Sequence, residues 1–215
     1  DAMCQSLVEL IQRHQPLRTV MKKARGSQPE GSLLPVPAAD QAMVIVDIQH
    51  EPTQLKEKIL SESARPFDLA KDLAIRAVLF VLGPDEYTLV FTLHHHACDG
   101  LSVRVFIDEL TGAYEDACKA HSSYRSSTLA FNYSDWAVWQ QKALNAQAEP
   151  GKSVLEQKIE RAKKRLDDIP SILNLPLDKP RLANRKRRAG HWSWSIDASV
   201  KHQVESLSRE LGVSA

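Results

Sequence analysis

This chain has few cysteines, almost no net charge, no long apolar run and no internal repeat. Its three cysteines (Cys4, Cys98 and Cys118) are an odd number spread over 215 residues. That pattern excludes a disulfide-stapled scaffold and suits reduced thiols in a cytosolic compartment. A formal net charge of +1 removes any general electrostatic case for nucleic acid or a membrane surface. No stretch approaches the ~20 apolar residues that span a bilayer, and the first residues hold no basic region leading into an apolar core. What is present is ordinary for a soluble globular protein: 43% hydrophobic and 26% charged residues, in a length that suits one domain or two small ones.

The most informative stretch is Leu93-His94-His95-His96-Ala97-Cys98-Asp99-Gly100. Before it, Tyr87, Leu89, Phe91 and Leu93 alternate with the residues between them, as one face of a strand does. After it, Val103, Phe106, Ile107, Leu110, Ala113, Tyr114 and Ala117 recur at three- and four-residue steps, as one face of a helix does. Three histidines and an acid therefore lie in a short strand-to-helix connection. Gly100 is expected to let the backbone turn sharply, and Asp99 to lie near a helix start, where an anion is favoured.

Along the rest of the chain, Met3 to His14 reads as a helix with Leu7, Leu10 and Ile11 on one side, ended by Pro16. Leu17 to Met21 looks extended, and Lys22 to Asp40 reads as turn and loop. Met43 to Ile48 and Ala74 to Leu82 read as strands, with a short helix through Leu55, Ile59 and Leu60 between them, stopped at Pro66. The second strand joins the histidine strand through Gly83-Pro84-Asp85-Glu86, as an antiparallel hairpin. A Ser-rich turn at Ser122 to Thr128 precedes two helices, one centred on Trp136 and Trp139 and one from about Ser153 to Asp168, heavily charged. Residues 170–190 form a Pro/Arg-rich connecting loop with the basic run Arg181, Arg185, Lys186, Arg187 and Arg188. His191 to Ile196 alternates like a strand, and Val200, Val204, Leu207 and Leu211 mark a last helix capped by Gly212.

His94-His95-x-x-x-Asp99-Gly100 resembles the HHxxxDG signature of condensation domains of nonribosomal peptide synthetases, members of the chloramphenicol-acetyltransferase-like superfamily. Further stretches resemble that family in the expected order. Arg13-His14-Gln15-Pro16-Leu17-Arg18-Thr19 is similar to an RHExLRT motif, and Pro66-Phe67-Asp68-Leu69 with Arg76 to the approach to the histidine strand. Tyr133 to Trp139 and Leu175 to Arg181 are similar to segments that follow it. The likeness covers nearly the whole chain. Departures are Gln15 and Pro16 in place of an acid and a small residue, Lys71-Asp72 where Gly-Pro is common, and Leu101 where Trp is frequent. None touches the His or Asp of the core motif.

The resemblance implies an α+β fold, an α/β sandwich in which a mixed or antiparallel sheet is covered by helices. It implies that residues 1–215 are most of the N-terminal lobe of a V of two lobes, without its opening segment and second lobe. It implies amide-bond formation between a carrier-bound acyl or peptidyl thioester and a carrier-bound amine. Only His94-His95 leaves three residues before Asp99, so the family's active histidine, the second of its pair, falls on His95. The family reading of Asp99 is architectural, an ion pair with a basic residue that holds the loop, with Arg18 and Arg76 as candidate partners. Gly100 is expected to act through its backbone, a side chain there blocking a channel or forbidding the turn. His94 is expected to be structural, since alternation turns it away from Leu93.

The residue chemistry fits such a reaction. An α-amine with a pKa near 8 is mostly protonated at neutral pH, so a positioned imidazole is a useful proton acceptor. Such transfer is worth about a hundred- to ten-thousand-fold, and alignment of two tethered reactants about 7–11 kcal/mol. His95 as base, as orienter of the amine, or as hydrogen-bond partner of the tetrahedral intermediate all remain open. The resemblance implies no permanently bound cofactor, since substrates ride on phosphopantetheine arms of partner carrier domains. Carrier domains, the second lobe and an adenylation domain are the expected partners, in the cytoplasm.

Blander readings stand beside these. Metal binding by His94, His95, His96 and Cys98 is the main rival. Adjacent histidines on an extended chain point opposite ways, however, and no second ligand pair has zinc-like spacing, so no metal is expected. Cys98 reads as an inert, partly buried thiol, Trp136, Trp139, Trp192 and Trp194 as packing anchors, and the basic run as a solvated loop. His14, His121, His191 and His202 show no convergent partners. A stand-alone CoA-dependent acyltransferase, an epimerising relative and a non-catalytic module that recruits carrier or tailoring proteins are the alternatives; a heterocyclising relative is disfavoured, because acids replace its histidines.

Overall fold

Leu7, Leu10 and Ile11, spaced at three and four residues, bury one side of the first helix, α1 (Ala2–Arg13), almost completely. The structure, a computed structural model, describes residues 1–23, 29–119, 129–180 and 193–214. Within α1 the buried hydroxyl of Ser6 donates to the Ala2 carbonyl at 2.9 Å, so the apolar face carries no unpaired polar group there. Pro16 cannot continue the helix, and a 3-10 turn at Gln15–Arg18 leads into β1 (Thr19–Lys23).

The segment expected as a loop contains β2 (Pro29–Leu33), antiparallel to β1 with Met21 opposite Gly31. Pro29 and Gly31 read as breakers in the sequence. Pro29 is tolerated because it is the first residue of its strand. Gly31 fits because a Cβ there would come within 3.3 Å of Thr19 Cγ2. After a single turn, α2 (Ala39–Ala42), comes β3 (Val44–Asp47), then α3 (Leu55–Ala64), β4 (Ile75–Gly83) and β5 (Glu86–Leu93). β4 is the middle strand of a three-stranded sheet, parallel to β3 and antiparallel to β5, with Ile75 opposite Leu93. The sheet is therefore mixed and the fold α+β, as expected.

β4 is buried on both faces, and its alternation sorts two cores. Ile75, Ala77 and Leu79, with Leu89, Phe91 and Leu93 of β5, pack on α1 and α4 (Gly100–Cys118). Val78 and Phe80, with Val90, pack on the other side against Ile48 and on Leu55 and Ile59 of α3. Phe91 and Phe106 meet edge to face at 5.0 Å across the larger core. Each such side chain gains about 1.5–3 kcal/mol on leaving water. The buried stripe of α4 is narrower than its period predicts. Phe106, Leu110 and Ala113 are buried, while Val103, Ile107 and Tyr114 remain partly exposed.

α5 (Tyr133–Asn145) follows, then a short hairpin of β6 (Gln147–Glu149) and β7 (Lys152–Ser153), and the charged α6 (Val154–Leu166). Trp136 and Trp139 are not the packing anchors expected: they stand 44% and 64% exposed. Among the described residues α5 touches its surroundings chiefly through the Gln15–Arg18 turn. Contacts divide the chain into Asp1–Arg165 and Leu166–Ala215. The second unit holds α7 (Ala198–Leu211), closed by Gly212 at φ 65°, the left-handed cap its glycine foretold. Ser193 to Ile196 join no strand ladder, because alternation supplies a pleat but not a partner strand. Trp194 is exposed as well. The Ser-rich turn, the basic run, His121, His191 and Trp192 lie outside the described residues, as does part of the 170–190 loop.

Candidate functional site

β5 delivers the histidine loop, and two other backbone segments anchor it. His94 N–H donates to the Ala74 carbonyl (2.8 Å), and Ala74 N–H donates to the Leu17 carbonyl (2.8 Å). The loop then closes as a turn, Ala97 N–H donating to the His94 carbonyl at 3.0 Å. Strand alternation carries past Leu93. Leu93 packs in the larger core, and His94 lies on the opposite side, edge to face with Phe67 at 5.5 Å between ring centres.

His94 and His96 are half-buried and His95, between them, is exposed. His96 N–H reaches His94 Nδ1 at 3.2 Å, the two Nδ1 atoms lie 2.9 Å apart, and His96 Nε2 lies 3.3 Å from the Thr19 carbonyl. Burial, then the neighbouring His96 and His95, holds the His94 imidazole below its ordinary pKa. His94 is thus a neutral ring inside the loop, and His95 is the imidazole presented to solvent. Cys98 is half-buried, and burial, then Asp99, pushes its thiol up, away from a nucleophile's range.

Asp99 is the N-cap of α4. Its Oδ1 accepts from Ser102 N–H (2.9 Å) and Ser102 Oγ–H (2.7 Å), while Ser102 Oγ accepts from Asp99 N–H (3.2 Å), a reciprocal capping box. The Ser102 amide, followed by its hydroxyl, holds the Asp99 carboxyl below the usual range. The expected ion pair with Arg18 or Arg76 is not formed. Arg76 is 11% exposed and spends its donors on the other face of the sheet. It meets Glu62 Oε1 at 2.7 Å, donates to the carbonyls of Glu62, Arg65 and Pro66, and lies 3.7 Å over the Phe67 ring. It therefore supports His94 through Phe67. Arg18 Nη1 donates to the Leu34 carbonyl at 2.8 Å and ties down the β1–β2 hairpin. A cap three residues away satisfies Asp99 without a distant arginine.

Gly100 also departs from expectation. It is the first residue of α4, its φ is not left-handed, and a Cβ there would meet nothing within 4 Å. The turn does not require glycine; the residue leaves open space beside the loop.

Two hollows flank this loop. The smaller, about 240 Å³, is lined by His95, His96, Asp99, Ser102, Pro16 and Tyr133. The larger, about 430 Å³, shares Pro16, Asp99, Ser102 and Tyr133 but not His95, and is walled by Leu93, Leu101, Val105 and Phe106. The larger is mostly apolar, and the smaller holds the only exposed imidazole of the loop. Leu101, 80% exposed, stands at the rim of the larger. His14 does have a partner: its Nε2 lies 2.6 Å from Glu109 Oε2, with Arg13 at 3.3 Å from the same oxygen. Sequence reasoning missed that pair, Tyr133, the capping role of Ser102 and the clasp made by His96. Only Ser102 carried a local signal, three residues after an acid.

Among the described residues no helix is long and apolar enough to cross a membrane, and no group of His, Cys, Asp or Glu converges as a metal site. The family model described as Condensation domain matches residues 1–215. The chain is 33% identical over 214 residues to a dimodular nonribosomal peptide synthase of Bacillus subtilis, covering 97% of this chain and 9% of that protein. It is 30% identical over 213 residues to malpinin synthetase of Mortierella alpina, covering 99% of this chain and 3% of that one. The chain thus spans a small part of the length of these relatives. Among solved structures, the X-domain from teicoplanin biosynthesis superposes with a TM-score of 0.80 at 26% identity, covering 100% of this chain and 46% of that chain. The epimerization domain from the third module of tyrocidine synthetase B, at 19% identity and a TM-score of 0.62, covers 83% of this chain and 39% of that chain, and shares the fold.

Proposed function

Because the chain belongs to the condensation-domain family of nonribosomal peptide synthetases, we propose that it forms part of an acyltransferase joining a carrier-bound acyl or peptidyl thioester to a carrier-bound amine. Residues 1–215 make up most of one lobe of that enzyme, a second lobe closing the cleft. The observation that carries this reading is the one exposed imidazole of the histidine loop, His95, at a hollow of about 240 Å³ that adjoins an apolar one of about 430 Å³.

The α-amine of the acceptor enters beside His95, which takes a proton from nitrogen as nitrogen attacks the thioester carbonyl; the C–N bond forms, the C–S bond breaks, and the thiolate leaves on its carrier. Leu93, Leu101, Val105 and Phe106 suit an apolar side chain of one substrate, and the space over Gly100 keeps the approach clear. Asp99 and Ser102 fix the start of α4 and so the floor of the hollow. No cofactor resides here: both substrates arrive on phosphopantetheine arms of carrier domains, with an adenylation domain loading them, in the cytoplasm.

In the complete parent protein, His95→Ala is expected to lower dipeptidyl transfer between loaded carriers by about a hundred- to ten-thousand-fold without altering thermal melting. Unchanged turnover overturns the assignment. The likeness to the teicoplanin X-domain, one structure of which is a complex with OxyB, favours a second reading, a module that docks a partner protein without chemistry. Under it the same variant leaves product formation intact.

A further inference from the structure

The family motif uses two histidines, and this chain has a third whose position the motif does not explain. His96 is not turned to solvent. Its side chain folds back across the loop, with Nδ1 2.9 Å from His94 Nδ1 and Nε2 3.3 Å from the Thr19 carbonyl on β1. The two ring centres are 4.9 Å apart. The backbone N–H of His96 also points at His94 Nδ1, at 3.2 Å. An imidazole nitrogen facing an N–H carries a lone pair, not a proton. His94 Nδ1 is therefore the acceptor, His96 Nδ1–H the donor, and the His94 proton resides on Nε2.

We propose that His96 is a positioning residue: by donating from Nδ1 to His94 and packing its ring edge against β1 at Thr19, it clamps the loop so that His95 is the imidazole left exposed at the smaller hollow. This rests on the reading of His95 given above. The mechanical logic is direct. His94 is fixed from below by Ala74 and Phe67, and His96, bonded to the same ring, packs against a different strand at Thr19. With both neighbours tied inward, the intervening side chain has one direction left. A misplacement of about 1 Å at a reacting group can cost about a hundredfold in rate, so a loosened loop is expected to lower kcat by about 10- to 100-fold while leaving carrier binding, and hence KM, unchanged.

Asparagine isolates the contact to His94. In His96→Asn, Nδ2 sits where Nδ1 was and still donates to His94; in His96→Leu neither contact survives although volume is kept. The test measures kcat and KM for transfer between loaded carriers in the parent protein for His95→Ala, His96→Leu and His96→Asn, with thermal melting of each. Histidine nitrogen NMR of the 215-residue chain is read in parallel. The expected result is an inactive His95→Ala, a His96→Leu with kcat down about 10- to 100-fold at constant KM, and a His96→Asn restored most of the way. In the unsubstituted chain His94 is expected as the Nε2–H tautomer, and in His96→Leu as a mixture. An inactive His95→Ala together with fully active His96→Leu, or with Asn no better than Leu, overturns the clamp alone. A fully active His95→Ala overturns the reading beneath it and the positioning role with it. If His96→Leu does not fold, His96→Asn decides: near-normal kcat with the His94 tautomer kept supports the clamp, and a His94 signal indifferent to His96 overturns it.

Discussion

Gly100→Ala separates backbone from cleft. The sequence motif suggests that glycine is needed for a sharp turn, and the geometry says otherwise. Gly100 opens α4 directly after the Asp99 cap, its φ is not left-handed, and a Cβ would have nothing within 4 Å. Replacing glycine by alanine in a helix removes unfolded-state freedom and is favourable by up to about 1 kcal/mol, less at the first helical position. For a chain of this size that is a rise in Tm of between zero and about 2–4 °C. The assay is thermal unfolding by far-UV circular dichroism, beside transfer between loaded carriers in the parent protein. Gly100→Leu extends the test, because a longer side chain reaches further into the open space at the loop with no greater demand on the backbone. We expect stability to be kept in both variants and turnover to fall in the order Gly, Ala, Leu. A fall in Tm of more than about 4 °C in Gly100→Ala would refute the reasoning, since it would mean that the backbone there requires glycine after all.

Other outcomes follow from the same contacts. Glu62→Gln leaves Arg76, 11% exposed, with a neutral partner; a loss of about 1–3 kcal/mol is expected in chemical denaturation, while Arg65→Gln, at the exposed end of the trio, costs less than about 1 kcal/mol. Ser102→Ala removes the two hydrogen bonds of the hydroxyl, leaves the backbone N–H donating to Asp99, and lowers stability; Asp99→Asn, which keeps an acceptor at the cap, is expected to lower it less than Asp99→Ala. Two of the groups that contribute to the acid limb of stability are His94 and Glu62. His94 is held below its ordinary pKa, so the unfolded chain binds its proton first; that contribution is complete above about pH 6.5 and declines as pH falls below it. Hydrogen bonding from Arg65, then Arg76, outweighs burial and lowers Glu62, whose contribution is present above its ordinary value of 4.5 and is lost as pH falls through the lowered one. His94→Gln should flatten the first limb and leave the second.

The parts of the fold that were legible in the sequence depend on local repetition. β4, β5 and α4 announce themselves by period, and Leu89, Phe91, Leu93, Phe106 and Leu110 fall where that period puts them. β2 did not, because Pro29 and Gly31 carry turn chemistry and only the facing strand reveals that an edge tolerates them. At the site, His95 was legible through its spacing to Asp99. The partners were not, because each contact competes with others that spacing cannot rank. Asp99 closes on Ser102, three residues on, rather than on a distant arginine; Arg76 turns to Glu62, fourteen residues back; His96 reaches Thr19 from the far side of the sequence. The exposed indoles of α5 show the opposite case, where residue type suggests burial and the described residues offer no layer to receive them.

The amide ties from His94 to Ala74 and from Ala74 to Leu17 join three stretches far apart in the chain. Anyone recombining this chain with a homologue therefore inherits a rule about crossover points. Exchanging the histidine loop alone grafts it onto foreign rails, whereas a chimaera that takes residues 14–23, 66–76 and 93–102 from one parent transplants the bearing together with the part that rides on it.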